Sequence, residues 1–363
     1  MLNLKNIYAV ILAGGSGERF WPMSTTKRPK QFLAIPSGKP LICEAVERIE
    51  KLIPERQIFI ITRKDLVGMV HAVLPNFPRK NIVGEPYGRD TAAAIALAAG
   101  LVKSRNPSAG FCVLTSDHLI KDRDIFLKTL SDALKLALAS DCLITIGIKP
   151  AFPSTGFGYI EVGQKTKPAG QTCFFQVKRF VEKPDLPTAK KYVQSGKFYW
   201  NSGMFIWAVP VLEAAMAKHC PQLIELIKKV SAAAGKSFFD KMLEKEYAGL
   251  EKISVDYALM EKAGNIVMAR STFRWDDVGS WAALESHCEK DAHNNVIVGN
   301  GEVFDANGNI VVAEDGLIAL VGVRDLVVVR SGAATLVCAK NKAQEIKHLV
   351  MRMKKSDKYR GMV

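Results

Sequence analysis

A glycine-rich loop follows the apolar run Ile7–Leu12 and is the first feature that could do chemistry. Its residues are Ala13, Gly14, Gly15, Ser16 and Gly17. Glycines let backbone N–H groups approach a ligand closely, and consecutive N–H groups form a concave site for anions. The cations that follow, Arg19 and Lys30, favour phosphate as that anion. The spacing fits neither Gly-x-Gly-x-x-Gly nor a P-loop, so the loop taken alone is equally compatible with a tight turn.

Two acidic stretches could hold a metal ion. Asp117 lies in "TSDHLI", just after an apolar run, and "WDDVGSW" carries Asp276 and Asp277 between two tryptophans. Ligands of open α/β sheets bind at strand ends, where a buried carboxylate is costly unless it is paired or bound to a cation. Carboxylates together with phosphate oxygens and water suit Mg²⁺. The alternatives are a helix cap or a pair with His118 for Asp117, and a turn for the second stretch.

Apolar runs and helical patterns alternate in the first two-thirds of the chain. The strands and helices that they predict must position the residues named above. The predicted strands are Ile7–Leu12, Gln57–Thr62, Phe111–Thr115 and Leu143–Ile148, and the predicted helices are Pro40–Leu52, Asp90–Val102 and Asp124–Ala139. Continuous apolar strands separated by helices predict a parallel sheet covered on both faces. Longer mixed strands within 156–163 and 173–184 would extend the sheet, and a helical region over 211–264 follows them.

A change of pattern after Asn294 predicts a second, smaller domain. Short apolar strands alternate there with Asn-Gly and Asp-Gly pairs, which favour turns. Helical spacing then predicts a terminal helix that docks on this domain, through Ala343, Ile346, Leu349, Val350 and Met353. The predicted domains are 1–290 and 291–363.

The composition limits the class of partner. The chain has 363 residues with 50 Lys+Arg against 36 Asp+Glu, a formal charge of +14. This favours anionic partners, and phosphorylated metabolites fit as well as nucleic acid. Without a nucleic-acid-binding motif or a stretch long enough to cross a bilayer, we expect neither nucleic acid nor a membrane as partner. Seven scattered cysteines without a Cys-x-x-Cys pair predict reduced thiols and a cytoplasmic protein.

Seven motifs in order resemble the sugar-phosphate nucleotidyltransferase family, most of all its bacterial branch that uses GTP and mannose 1-phosphate. They are "LAGGSGERFWPMSTTKRPKQFL", "EPYGRDTAAAIALAA", "TSDHLI", "GFGYIEV", "FVEKP", "WNSGMFIW" and "WDDVGSW". The resemblance runs from about Tyr8 to Trp281. It implies an α/β fold with a Rossmann-like, mostly parallel mixed sheet, known as the nucleotide-diphospho-sugar transferase fold. It also implies a small C-terminal β domain that resembles a β-helix.

The resemblance also implies a role for individual residues. The catalytic set would be Arg19, Lys30, Asp117 and Asp277, of which the two aspartates would hold the metal. Asp276 ranks behind Asp277, because relatives often carry a smaller residue there. The nucleotide would be bound by Ala13, Gly14, Gly15, Gly17, Glu85 and Asp117, and the sugar phosphate by Gly158, Glu182, Lys183 and Asn201. Glu85 is our candidate for base recognition, because a carboxylate can accept from both N1–H and N2–H of guanine.

The reaction that we expect from these residues is transfer of GMP from GTP to mannose 1-phosphate. The sugar phosphate is mostly a dianion at neutral pH, since its second pKa is about 6. It can therefore attack the α-phosphorus in line without a histidine or serine base, and Mg²⁺ is the expected cofactor. Three alternatives stay open: another sugar 1-phosphate such as a manno-heptose, another base, or a catalytically silent regulator that binds a sugar nucleotide. A homodimer is compatible with these expectations.

Overall fold

The computed structural model describes residues 4–15, 17–166 and 170–363, so Ser16 of the glycine loop lies outside the described residues. By their internal contacts the residues form two compact units. The sheet unit comprises Met1–Gly14, Ala45–Ser116 and Ile120–Trp275, and the C-terminal unit comprises Gly15–Glu44, Asp117–Leu119 and Asp276–Val363. Residues 15–44 thus group with the end of the chain. The predicted division into domains 1–290 and 291–363 stays a prediction.

The described residues form fifteen strands, four of which match the predicted apolar runs to within one residue at each end. They are β1 (Ile7–Ala13), β2 (Ile58–Arg63), β3 (Ile82–Glu85), β4 (Gly110–Thr115), β5 (Leu119–Ile120), β6 (Leu143–Ile148), β7 (Tyr159–Lys165), β8 (Phe174–Val181), β9 (Phe198–Ala208), β10 (Ile266–Arg270), β11 (Trp275–Asp276), β12 (Val296–Phe304), β13 (Ile310–Val321), β14 (Leu326–Ser331) and β15 (Ala334–Ala339).

The α-helices include the three that periodicity predicts near the N-terminus. They are α1 (Leu41–Ile49), α2 (Val67–Val73), α3 (Asp90–Arg105), α4 (Arg123–Ala139), α5 (Leu186–Ser195), α6 (Val209–His219), α7 (Pro221–Ala233), α8 (Phe239–Ala248) and α9 (Ile346–Met353). Shorter turns matter for the site: 3-10 helices at Glu18–Phe20 and Lys30–Phe32, and a π-helical turn at Asp256–Met260. Among the described residues, no helix has the length and apolar character that crossing a bilayer requires.

A nine-stranded mixed sheet forms the centre of the sheet unit, in the order β3-β2-β1-β4-β9-β6-β10-β8-β7. The strands β3, β2, β1 and β4 are parallel, as is the pair β6 and β10. β9 runs antiparallel to β4 and β6, and β7 and β8 also pair in the antiparallel direction. The mixed sheet confirms the predicted α/β fold class, with its antiparallel pairings among the longer strands that follow β6.

Helix α3 is buried along most of its length, which its composition explains. Every residue from Ala92 to Val102 is buried, and most of them are alanine or glycine. At Gly100 an added Cβ would lie 2.6 Å from Val230 of α7, so the two helices pack too closely for any larger side chain there. The small residues thus let α3 pack within the core without an exposed polar face.

The C-terminal β strands coil in parallel rather than folding back as hairpins. Val296 pairs with Ile310, and Ile310 with Val327, so successive strands stack with the same direction; only β15 is antiparallel, to β14. The expected turns are confirmed at Asn307-Gly308, which lies between β12 and β13, but the expectation was wrong for Asn300-Gly301 and Asp315-Gly316, because both pairs lie inside strands. Positive φ values at Gly299 and Gly316 bend β12 and β13 instead, as a coil requires at its corners.

The segment after the glycine loop packs in the same core as the end of the chain. The indole Nε1 of fully buried Trp281 donates to the main-chain oxygen of Trp21 at 3.1 Å, and Trp21 Nε1 donates to that of Met362 at 2.7 Å. Helix α9 buries Ile346, Val350 and Met353 in this core, which confirms the predicted docking helix. Leu349 differs from the expectation: it is 37% exposed, because it lies beside the face that these residues share.

Candidate active site

A charged cavity of about 280 Å³ lies within the C-terminal unit and contains all four predicted catalytic residues. We call it the charged pocket. It is lined by Gly17, Glu18, Arg19, Phe20, Lys30, Asp117, His118, Asp277, Val278, Gly279 and Lys347. The four sequence segments that supply them are far apart in the chain. The structure therefore brings Arg19, Lys30, Asp117 and Asp277 together in one cavity, and their catalytic roles remain a prediction.

Lys30 connects the two acidic stretches. It stands at the start of the 3-10 helix Lys30–Phe32 and is only 6% exposed. Its Nζ donates to Oδ2 of Asp117 at 3.0 Å and to the main-chain oxygen of Asp277 at 2.6 Å. The ammonium group also lies 5.7 Å from the ring centre of Phe20. A buried charge requires partners of this kind, so Lys30 fixes where both aspartates stand.

The two aspartates have opposite electrostatic environments. Burial raises the pKa of Asp277 to about 6 against the effect of Lys30, and the negative charges of Asp276 and Asp117 raise it further. For Asp117, burial is outweighed by Lys30 and His118, which lower the pKa of its carboxyl below the usual value. The pocket thus concentrates more negative charge than its buried ammonium neutralises. An additional cation beside Asp277 would relieve this imbalance.

Asp276 stabilises the turn that carries its neighbour. Its Oδ2 lies 2.8 Å from Nε2 of His287, and its Oδ1 accepts from the main-chain N–H of Val278 at 2.7 Å. Val278 has a φ of 46°, a strained value for a β-branched residue. Both carboxylate oxygens of Asp276 therefore hold the turn that presents Asp277, in agreement with its lower rank as a metal ligand.

Arg19 carries a buried donor without a partner. Its Nε is buried and has no hydrogen-bond partner among the residues that the structure describes. Buried N–H groups are nearly always paired, so each exception requires an explanation. Arg19 lines the charged pocket, where a bound anion would supply the missing acceptor.

The glycines of the loop differ in what surrounds them. Gly17 has a φ of +62°, and a Cβ added there would lie 2.3 Å from Cβ of Lys30. At Gly14 and Gly15 no atom of the described residues beyond the chain neighbours lies within 4 Å of such a Cβ. Ala13 ends β1, and its carbonyl accepts from Thr62 Oγ1 at 2.8 Å. Packing therefore requires glycine at 17, whereas open space surrounds 14 and 15, where the predicted nucleotide would approach.

A second polar cluster lies within the sheet unit and contains the predicted sugar-binding residues. The main-chain N–H of Asn201 donates to the carbonyl of Gly158 at 2.8 Å. A Cβ on Gly158 would lie 2.5 Å from Oε2 of Glu182, so the carboxylate packs directly against this glycine. Lys183, which was expected to face the sugar phosphate, forms an ion pair with Glu182. The structure thus brings all four residues together, and we call them the sugar cluster.

Asp256 belongs to this cluster and was missed by sequence reasoning. Its Oδ1 accepts from Nδ2 of Asn201 at 3.0 Å, while Oδ1 of Asn201 accepts from Thr145 Oγ1 at 3.0 Å. Burial and the charge of Glu182 raise the pKa of Asp256 to about 7, against the effect of Lys183. The available signal was an acid directly before the apolar residues of "VDYALM". Asp256 therefore fixes the orientation of the Asn201 side-chain amide, whose oxygen points toward Thr145.

Glu85, the candidate for base recognition, ends β3 in the sheet unit. Its Oε1 accepts from the hydroxyl of Tyr247 at 3.2 Å. Burial raises its pKa to about 7, although the Tyr247 hydrogen bond favours the ionised form. Glu85 also lines a groove with Arg63, Lys64, Asp65, Pro86 and Gly88. The hydrogen-bonding edge of a nucleotide base could thus reach this largely buried carboxyl group. The role of Glu85 in recognising guanine remains a prediction.

Two family models match successive parts of the chain. A family model described as nucleotidyl transferase matches residues 8–294, and one described as a mannose-phosphate isomerase/GMP-like β-helix domain matches residues 299–353. Proteins named mannose-1-phosphate guanylyltransferase from Salmonella montevideo and Escherichia coli (strain K12) are 37% and 35% identical. The alignments cover 97% and 98% of this chain and 75% of each relative.

Solved structures agree with these relatives. A crystal structure from Thermus thermophilus, described as a mannose-1-phosphate geranyltransferase, has a TM-score of 0.85 and 34% identity, over 96% of this chain and 99% of that one. A structure from Helicobacter pylori, described as a mannose-6-phosphate isomerase, has a TM-score of 0.60 and 28% identity, over 75% of this chain and 99% of that one. The fold thus includes the β-helix-like C-terminal domain that was expected.

We predict that Gly17→Ala lowers the free energy of unfolding while Gly15→Ala does not. The left-handed backbone at 17 costs an alanine about 1–2 kcal/mol, and the new Cβ would also displace Lys30. Open space around Gly15 makes the matched change harmless to the fold. Denaturant titration of both variants measures the difference. Equal stabilities would show that the packing around Gly17 tolerates a side chain.

We predict that Asp256→Asn stabilises the protein, and more at pH 8 than at pH 5. With a pKa of about 7 in the folded state, Asp256 keeps its proton where the unfolded chain has lost it. Parent stability therefore falls as pH rises toward 7, by about 1.4 kcal/mol for each unit between the two pKa values. The asparagine does not titrate and can still accept from Asn201.

Melting temperatures at the two pH values measure this effect. Asp240→Asn, an exposed residue of α8, is the control that should change little at either pH. A stabilisation by Asp256→Asn that is greater at pH 5 than at pH 8 would contradict the assignment.

Proposed function

Because the chain belongs to the nucleotidyl transferase family of enzymes, we propose that it transfers GMP from GTP to mannose 1-phosphate and releases pyrophosphate. The observation that carries the proposal is the buried Lys30, which holds Asp117 and the Asp277 segment around one cavity beside Arg19. Cations and carboxylates in one small cavity suit a nucleoside triphosphate with its counterion. The choice of guanine and mannose rests on the names of the relatives.

The chain's own residues act in this proposal by binding and by electrostatics. Arg19 and Lys30 stabilise negative charge on the triphosphate, which grows on the leaving pyrophosphate as the bond breaks. The phosphate of the sugar substrate is the nucleophile, so no side chain has to remove a proton. In the sugar cluster, Glu182 accepts from sugar hydroxyls, Asn201 supports it, and Lys183 binds the sugar phosphate.

The residues of the charged pocket fit a divalent cation such as Mg²⁺. Asp117 and Asp277 would hold it; the pKa of Asp277 is raised by burial and by the charges of Asp276 and Asp117, and a bound cation would favour its ionised form. Among the described residues there is no group of three or more His, Cys, Asp or Glu side chains placed to hold a metal. Phosphate oxygens and water would complete the coordination, as is usual for Mg²⁺. When bound, the ion supplies Lewis-acid stabilisation of charge on the phosphate oxygens.

The thiols and the charged pocket also bear on the compartment and the partners of the enzyme. We propose a cytoplasmic enzyme, because all seven cysteines are free thiols, as in a reducing compartment. Its partners are then its two small substrates, without nucleic acid or membrane, and a homodimer stays a prediction. Another sugar 1-phosphate or another base is compatible with the same charged pocket, because that pocket would contact only phosphates.

A pyrophosphate-release assay over a grid of nucleoside triphosphates and sugar 1-phosphates tests the proposal. We expect GTP with mannose 1-phosphate to give the highest kcat/KM. Asp277→Asn should lower that value by about 100-fold or more, the scale of losing one group that stabilises a transition state. Asp240→Asn, which changes an exposed acid of α8, should match the parent. A different best pair would redirect the substrate assignment, and full turnover by Asp277→Asn would remove Asp277 from the mechanism.

A second prediction concerns the sugar cluster. Glu182→Gln should raise KM for mannose 1-phosphate tenfold or more and leave KM for GTP nearly unchanged. A hydrogen bond to a charged acceptor is worth about 1.5–3 kcal/mol, which corresponds to at least a tenfold change. Steady-state kinetics with each substrate varied in turn measure the split, with exposed Glu225→Gln as the control. Equal increases in both KM values would assign Glu182 a structural role.

A further inference from the structure

We propose that Lys347, in the first turn of α9, is a further phosphate-binding residue of the charged pocket and contacts the β- and γ-phosphates that leave as pyrophosphate. This inference rests on the proposed nucleotidyl transfer and extends it to the end of the chain. Lys347 lines the cavity together with Arg19, Lys30, Asp117 and Asp277. The lysine-rich end of the chain would thus include a substrate-binding group.

The packing of α9 directs Lys347 toward the pocket. Ile346, Val350 and Met353 are buried in the core that also contains Phe20 of the loop. Lys354, directly after the helix, donates from Nζ to Oε1 of Glu18 at 2.6 Å, and Glu18 lines the pocket. Residues seven apart lie on nearly the same side of a helix, two turns from each other. Lys347 therefore lies on the side of α9 that faces the Glu18–Phe20 turn.

The charges of the pocket leave Lys347 available for an anion. Glu18 is engaged by Lys354, and Asp117 by Lys30. Within residues 4–15, 17–166 and 170–363, the hydrogen bonds and ion pairs include none for Lys347, which is half-buried. The buried Nε of Arg19 is likewise unpaired in that part of the chain. Among the described residues, the pocket thus contains two cationic side chains, those of Arg19 and Lys347, without a hydrogen bond or ion pair to a protein carboxylate.

A polyphosphate is the ligand that matches these two cationic side chains. Its several negative charges and many acceptor oxygens can engage Arg19 and Lys347 at once. A nucleoside monophosphate offers only one phosphate, so a residue at the leaving-group end should distinguish the two ligands. Removal of an ordinary solvated lysine would weaken the binding of both ligands only slightly, in proportion to their charges, through screened long-range electrostatics alone.

The test compares Lys347→Ala with Lys347→Arg and with the control Lys355→Ala, which removes an exposed lysine just beyond the same helix. Calorimetry measures binding of GTP, GMP and inorganic pyrophosphate, and steady-state kinetics measure KM for pyrophosphate in the reverse reaction. We expect Lys347→Ala to weaken GTP and pyrophosphate tenfold or more and GMP less than twofold. Arginine should restore most of the loss, and Lys355→Ala should match the parent.

Three results would overturn the inference: unchanged binding of GTP and pyrophosphate by Lys347→Ala, equal weakening of GTP and GMP, or the same loss in Lys355→Ala. Melting temperatures check the fold, and Lys347→Met, which keeps the aliphatic stem, replaces the alanine variant if that one melts early. The calorimetric measurement of pyrophosphate and GTP binding needs no sugar substrate. A failure of the parent to turn over mannose 1-phosphate would therefore count against the proposed function and leave the Lys347 result readable.

Discussion

The buried ammonium of Lys30 is the interaction on which the charged pocket depends. A cation that is 6% exposed is tolerated only with close acceptors, and here they come from Asp117 and the main chain of Asp277. The same side chain requires glycine at 17, where any Cβ would collide with it. One buried charge therefore fixes the positions of three segments that are far apart in the sequence, and it does so before any substrate binds.

Both polar clusters keep acids in places where ionisation is unfavourable. Burial raises the pKa of Asp277 to about 6 and that of Asp256 to about 7, and in each case a neighbouring carboxylate adds to the shift. Such groups weaken the folded state at neutral pH and are typical of sites that bind ligands. In the charged pocket the compensating ligand would be a cation. In the sugar cluster it would be a set of hydroxyl groups that donate hydrogen bonds.

Local signals in the sequence were sufficient for much of the sheet and for the motif residues. The apolar run Leu143–Ile148 coincides with β6, because a strand buried on both faces is defined by its own composition. The coil of β12 and β13 was implied by the family resemblance and not by the local turn signals, because glycine bends and hairpin turns share the same residues. Asp256 was missed for a related reason. Its role depends on a hydrogen bond with Asn201, 55 residues earlier, and only the fold brings the two residues together.

The end of the chain holds the segment that follows the glycine loop in place. Trp21 donates to the carbonyl of Met362, and Glu18 pairs with Lys354, so contacts across more than 330 residues of sequence hold the turn that carries Arg19. A short 3-10 turn has little stability of its own, since such segments have poor hydrogen-bond geometry. Its order must come from what packs against it, and that is α9 and the core beneath it. The C-terminal residues are therefore part of the structure that shapes the charged pocket.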